Sequence, residues 1–146
     1  MATRYRFGDS EYPHFITFAV INWIDALSRP AYKDIIVESL KYCQQEKGLI
    51  INGWIIMNNH VHLISRCKAG FALPDVIRDL KKFTSRKIEE AIRENTFESR
   101  KEWMLWIACP LELRDLKEPD NEIAITKIFS FGNRIIIQLN CMDMKR

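Results

Sequence analysis

Apolar positions change their period several times along the chain. From His14 to Trp23 the run Phe15, Ile16, Thr17, Phe18, Ala19, Val20 and Ile21 shows no polar alternation. A β-branched and aromatic run of that length predicts a strand buried on both faces. Between Tyr32 and Lys47, Ile35, Ile36, Ser39, Leu40 and Cys43 recur at helical spacing, with charge on the opposite face. Ser28 is placed to cap that helix, Pro30 to enter its first turn and Gly48 to stop it. Leu49 to Met57 and His60 to Cys67 are two further strands, joined at Asn58-Asn59 as a β-hairpin. Pro74 and Asp75 open a second helical pattern reaching about Asn95, with Val76, Ile77, Leu80, Phe83, Ile88 and Ile92 on one stripe. A short helix over Glu98 to Ile107 and a last strand near Arg134 to Leu139 complete the prediction.

The order β-α-β-β-α is the opening of a split βαβ unit. The expected fold class is therefore α+β, a ferredoxin-like antiparallel sheet with helices on one face and the other face free for a ligand. After Ile107 the character shifts to a charged run, Ala108 to Asp120, punctuated by Pro110 and Pro119. This divides the chain into a domain over residues 1–107 and a divergent tail over 108–146. The C-terminal part of the fold is then expected to be incomplete or altered.

Composition narrows the classes. With 146 residues, 47% of them hydrophobic, and only five Gly and five Pro, the chain is expected to bury a core rather than stay disordered. No apolar stretch has the length of a membrane span and no basic-then-apolar leader opens the sequence, which predicts no membrane partner and a cytoplasmic location. The net charge of +3 is too small to signal a nucleic-acid partner, so only a clustered patch could do so. Cys43, Cys67, Cys109 and Cys141 are widely spaced, which fits reduced thiols better than a disulfide or zinc framework.

Candidate chemistry centres on His60-Val61-His62. In a strand, positions two apart share a face, so both imidazoles point one way while Val61 faces the core. Such a pair can ligate a divalent ion, which would polarise a phosphodiester oxygen. The bland alternative is two surface histidines on a half-exposed strand. A second feature is the helical run 78–87, in which Arg78, Lys81, Lys82, Arg86 and Lys87 meet one acid. Arg78, Lys81, Lys82 and Ser85 fall at i, i+3, i+4 and i+7, a face that could track DNA phosphates. The alternative there is an ordinary solvated face, since Glu89, Glu90 and Glu94 follow. The four Trp and eight Phe are assigned to the core by default. His14, at the edge of the first strand, could approach the pair but suits a structural role better. No serine or cysteine triad and no Gly-rich phosphate loop is present.

The stretch from Trp54 to Ile64, Trp-Ile-Ile-Met-Asn-Asn-His-Val-His-Leu-Ile, resembles the signature of the REP-associated tyrosine transposases, single-tyrosine HUH endonucleases of the insertion-sequence type. The resemblance extends over roughly residues 5 to 107, including Phe15 to Trp23 and Leu80 to Ser85. It implies a ferredoxin-like sheet, Mg²⁺ or Mn²⁺ held by His60 and His62, and single-stranded or hairpin DNA as substrate on a basic surface. A homodimer is also implied, as is transposition through a covalent phosphotyrosine. The nucleophile of that family lies in a later Tyr-Ile-x-x-Asn-Pro context, whereas this sequence has tyrosines only at 5, 12, 32 and 42. Without the nucleophile the two-step transesterification cannot run. The expectation is DNA and weak divalent-metal binding without turnover, with a non-enzymatic, domesticated nucleic-acid-binding regulator as the alternative and a structural or dimerising domain as a third reading. Related chains follow the tryptophan-rich helix with Phe-Trp-Gln and His-Pro-Ile-Glu-Leu. One permitted codon string for Thr126 to Cys141, read from its third base, spells Gln-Asn-Phe-Gln-Phe-Trp-Gln-Gln-Asp-Asn-His-Pro-Ile-Glu-Leu, which points to a change of reading frame in the tail.

Overall fold

Alternation in β3 organises the molecule. The computed structural model describes residues 9–108 and, as backbone only, two short strands beyond them. In chain order these are β1 (His14–Val20), a 3-10 turn (Ile21–Trp23), α1 (Pro30–Glu46), β2 (Leu49–Ile56), β3 (His60–Cys67), α2 (Leu73–Glu94), α3 (Lys101–Ala108), β4 (Phe129–Ser130) and β5 (Ile136–Gln138). The sheet runs β2-β3-β1-β4, with β5 also paired to β1, and every pairing is antiparallel. β3 therefore sits between β1 and β2, the two strands that α1 connects. The α+β, ferredoxin-like arrangement expected from the sequence is present. The tail's expected incompleteness or change of frame lies outside the described residues, although β5 falls within the strand expected near 134–139. No helix among the described residues is long and apolar enough to cross a membrane.

Along β3, Val61, Leu63, Ser65 and Cys67 are fully buried, while His60, His62, Ile64 and Arg66 are half-buried on the other side. Register places Phe18 beside Val61, Ile16 beside Leu63 and His14 beside Ser65. Of these, Ile16, Phe18, Val61 and Leu63 meet Ile36 and Leu40 of α1 and Val76, Ile77, Leu80 and Ile88 of α2 in one core. Each such side chain contributes about 1.5–3 kcal/mol through burial. Helices thus cover one face; on the other, His60, His62 and Ile64 are half-buried, and Thr17 and Ala19 beside the histidines are buried. In β2 a register shift between Ile51 and Gly53 bulges the strand at Asn52. The bulge lets Trp54 and Ile56 take the helix-side positions that strict alternation would give to Gly53 and Ile55.

Several expectations need correction. β1 ends at Val20, because the backbone turns left-handed at Asn22 (φ 53°) and Trp23 (φ 55°) although the apolar pattern continues. Ser28 is not the helix cap: Arg29 holds that place in extended geometry without a side-chain cap bond, and Pro30 presets the first turn. The Ser28 hydroxyl accepts from Arg100 instead. In the stripe expected for α2, Val76, Ile77, Leu80, Ile88 and Ile92 are buried, but Phe83 is 52% exposed, and Lys81, Thr84 and Ser85 are buried in its stead. The tryptophans are not core residues. Trp23, Trp54, Trp103 and Trp106 are all about half-exposed.

Gly48 stops α1 at φ +63°, and a β-carbon there would lie 2.4 Å from the Phe71 ring. The loops at one end of the helices converge on Glu98, whose carboxylate accepts from Arg29 Nε (2.5 Å), the Tyr32 hydroxyl (3.3 Å) and the Arg100 amide (3.4 Å). Burial alone would raise the Glu98 pKa, but these donors, Arg29 first among them, hold it below its ordinary value of 4.5. A carboxyl depressed in the folded state stabilises above its unfolded pKa and loses that contribution as pH falls through the folded value. Glu98→Gln should cost about 1.5–3 kcal/mol at pH 7. The difference from wild type should shrink below pH 4.5, as read in urea melts at the two pH values.

Candidate metal and nucleic-acid site

On the open face, His60 pairs in register with Ala19, and His62 with Thr17 on one side and Ile55 on the other. The two imidazoles converge: Nε2 of His60 lies 3.1 Å from Nε2 of His62. Their outer nitrogens are tethered. His60 Nδ1 meets Asn59 Oδ1 at 2.6 Å, and His62 Nδ1 meets Thr17 Oγ1 at 2.8 Å. The Asn59 amide also donates through Nδ2 to the Trp23 carbonyl (3.3 Å), which orients its oxygen toward His60. That oxygen can only accept, so His60 carries its proton on Nδ1 and presents a lone pair at Nε2. Since His60 Nε2 accepts, His62 Nε2 donates to it across the 3.1 Å and Thr17 Oγ1 donates to His62 Nδ1; a bound ion would shift that ring proton to Nδ1, where the Thr17 hydroxyl can accept it instead. Phe15 stacks on the His62 ring at 5.3 Å and 24°, fixing its plane.

Burial first, and the neighbouring His60 second, push the His62 pKa below its ordinary 6.5. Both act against a charged ring and favour the neutral form that ligates metals. The separation also fits a shared ion. Adjacent ligands of an octahedral ion bonded at about 2.1 Å stand about 3 Å apart. The donor set therefore suits two positions on one divalent cation. No group of three or more His, Cys, Asp or Glu able to hold a metal occurs among the described residues.

The other sequence candidates are not brought to this pair. His14 faces the helices, with Nδ1 bonded to the Tyr12 carbonyl at 2.7 Å. α2 packs on the helix side of the sheet, so the sheet separates its cations from His60 and His62. Arg78 is paired with Asp75 (2.9 Å) and Asp79 (3.2 Å), and Lys87 with Glu90 (2.9 Å). Lys82 is exposed, Arg86 half-buried and Lys81 only 6% exposed, so the expected common face of Arg78, Lys81, Lys82 and Ser85 is split between surface and core. Tyr32 is buried against Glu98, Tyr42 is exposed on α1 on the helix side of the sheet, and Tyr12 precedes the far end of β1. None of these three tyrosines neighbours the histidines.

Four residues missed in the sequence belong to the site: Thr17, Trp23, Asn59 and Arg66. Thr17 was visible as the lone hydroxyl in an apolar strand, and Asn59 as the residue abutting the histidines. Arg66 shares their face by period two, about 13 Å along the strand from His62, and forms no ion pair among the described residues. Nothing in the sequence pattern signalled Trp23.

A family described as "Transposase IS200 like" matches residues 13–107, which contain every residue of this site. The chain belongs to the IS200-like transposase family. Membership associates this transposase-family chain with DNA transposition. Among solved structures it is similar to a protein of Deinococcus radiodurans R1 thought to be a transposase, with a TM-score of 0.57 and 12% identity over 97% of this chain and 88% of that one. It is also similar to a REP-associated tyrosine transposase bound to a REP hairpin, with a TM-score of 0.52 and 18% identity. That match covers 60% of this chain and 53% of the other, about half its length. At these identities the two structures support the fold alone. No curated protein matches the chain.

Proposed function

We propose that this IS200-like chain binds single-stranded, hairpin-flanked DNA through a divalent ion, Mg²⁺ or Mn²⁺, at His60 and His62, without covalent turnover. The observation that carries this reading is the 3.1 Å approach of the Nε2 atoms of two imidazoles, each tethered through Nδ1, on the sheet face opposite α1 and α2. A divalent ion between them would polarise a phosphodiester oxygen and fix the phosphate's position. His60 and His62 supply neutral nitrogens, Asn59 and Thr17 hold them in orientation, and Arg66 offers a cation farther along the same face. The DNA-bound neighbour supports a nucleic-acid partner for this fold.

The chain's tyrosines lie at 5, 12, 32 and 42. Among the described residues no tyrosine stands beside the histidines, and the chain has none in a later Tyr-Ile-x-x-Asn-Pro context to serve as the strand-cleaving nucleophile. A fluorescent hairpin oligonucleotide incubated with the full chain and Mn²⁺ should be retained in an ion-dependent complex and released intact by denaturant; a denaturant-resistant adduct overturns the reading. The lowered His62 pKa sets the pH dependence. Because the His62 ring is held below its ordinary value, a proton displaces the ion from it only in more acidic solution, so retention should persist at neutral pH and fall in acid. Arg66→Ala should weaken binding and reduce the slope of log affinity against log salt by about 1.

The missing nucleophile also favours the second reading, a DNA-binding regulator that keeps the sheet and has lost the chemistry. Steep salt dependence of binding supports it over an inert remnant. The basic run Arg78, Lys81, Lys82, Arg86 and Lys87 retains a role only if DNA wraps to the helix side, which alanine substitution of exposed Lys82 would detect. The tail over 108–146 is proposed as a product of a changed frame. The gene should then encode Tyr-Ile-x-x-Asn-Pro downstream in another frame, and its absence there rules the change out.

A further inference from the structure

We propose that Trp23 is a stacking platform for the base beside the phosphate held at the His60–His62 pair, an inference that rests on the single-stranded DNA reading above. Two consecutive non-glycine residues, Asn22 (φ 53°, ψ 20°) and Trp23 (φ 55°), adopt left-handed backbone immediately after β1. Asparagine tolerates that region; a bulky aromatic residue rarely does, and such strain concentrates at functional sites. The turn is fastened to the histidine-bearing hairpin. Val20 N donates to Asn59 O (2.9 Å), Leu27 N to Asn58 O (2.8 Å), and Asn59 Nδ2 to Trp23 O (3.3 Å).

This fastening does not bury the ring. Trp23 remains 48% exposed, with its centroid 5.5 Å from that of His60. The two aromatic rings flanking the pair are used differently. Phe15 lies nearly parallel to His62 and is half-buried, so its stacking capacity is spent on orienting that imidazole. Trp23 is tilted 58° to His60 rather than stacked on it, and its ring stays half-exposed. A nucleotide whose phosphate sits over the two Nε2 atoms carries its base within one sugar's reach of that ring. Base–indole stacking is tolerant of sequence, because every base presents a π-face.

The test compares two fluorescein-labelled strands, dT12 and a twelve-unit abasic strand of the same charge, by anisotropy with the full chain and Mn²⁺. The wild type should prefer dT12 by at least about fivefold. Trp23→Ala should lose that preference while binding the abasic strand as the wild type does, and Trp23→Phe should recover part of it. A merely structural role would weaken both strands equally or neither. Equal dT12 preference in wild type and Trp23→Ala overturns the platform and leaves the DNA reading standing. Failure of the wild type to bind either strand overturns the DNA reading and the platform with it.

Discussion

Alanine at His60 or at His62 should reduce Mn²⁺ affinity by more than about 100-fold, the loss expected when a direct ligand goes, since outer-sphere partners alone are worth about 10–100-fold. The effect should be equal for the two positions because their Nε2 atoms lie 3.1 Å apart and would share one ion. Thr17→Val and Asn59→Ala should fall in the smaller range, since each orients one ring through Nδ1 without reaching the ion. Stability should change little in the His60 and His62 variants, as both rings are half-buried and lie outside the hydrophobic core. Isothermal titration with Mn²⁺ reads the affinity, and a urea melt of the same samples reads the stability.

One residue farther along β3 the result should reverse. Leu63 is fully buried opposite Ile16 and packs into the core shared with α1 and α2. Leu63→Ala removes buried apolar surface and leaves a cavity, at a cost of about 2–5 kcal/mol. Its urea midpoint should drop with little change in slope, and the Mn²⁺ affinity of the folded fraction should stay near that of wild type. Neighbours in sequence thus separate completely in consequence, because a strand sends successive side chains to opposite faces.

That alternation explains what was legible beforehand. The strict period of two from His60 to Cys67 predicted the faces of His60, Val61 and His62, and the pattern of strands and helices predicted the α+β sheet order. Helical phase was harder. In α2, Val76, Ile77, Leu80, Ile88 and Ile92 are buried as their spacing predicts, but in the mixed segment Lys81–Ser85 packing against α1 and the sheet buries Lys81, Thr84 and Ser85 and exposes Phe83. The apolar run past Val20 concealed a reversal of the backbone, since hydrophobicity carries no information about φ at Asn22 and Trp23. Trp23 was therefore assigned to the core when its ring belongs beside His60. Arg66 shares the histidines' face by the same period, but a single cation in a strand lacks the clustering that marks the run 78–87.

In the proposed site, the two imidazoles on one face of β3 would hold a single cation. Pulsed electron paramagnetic resonance of Mn²⁺ bound to the full chain tests it most directly, through the coupling of the ion to imidazole nitrogen. The account predicts two coupled histidine nitrogens, reduced to one in either single alanine variant and to none in the double variant. Bound Mn²⁺ without nitrogen coupling, or coupling that survives the loss of both His60 and His62, would contradict it.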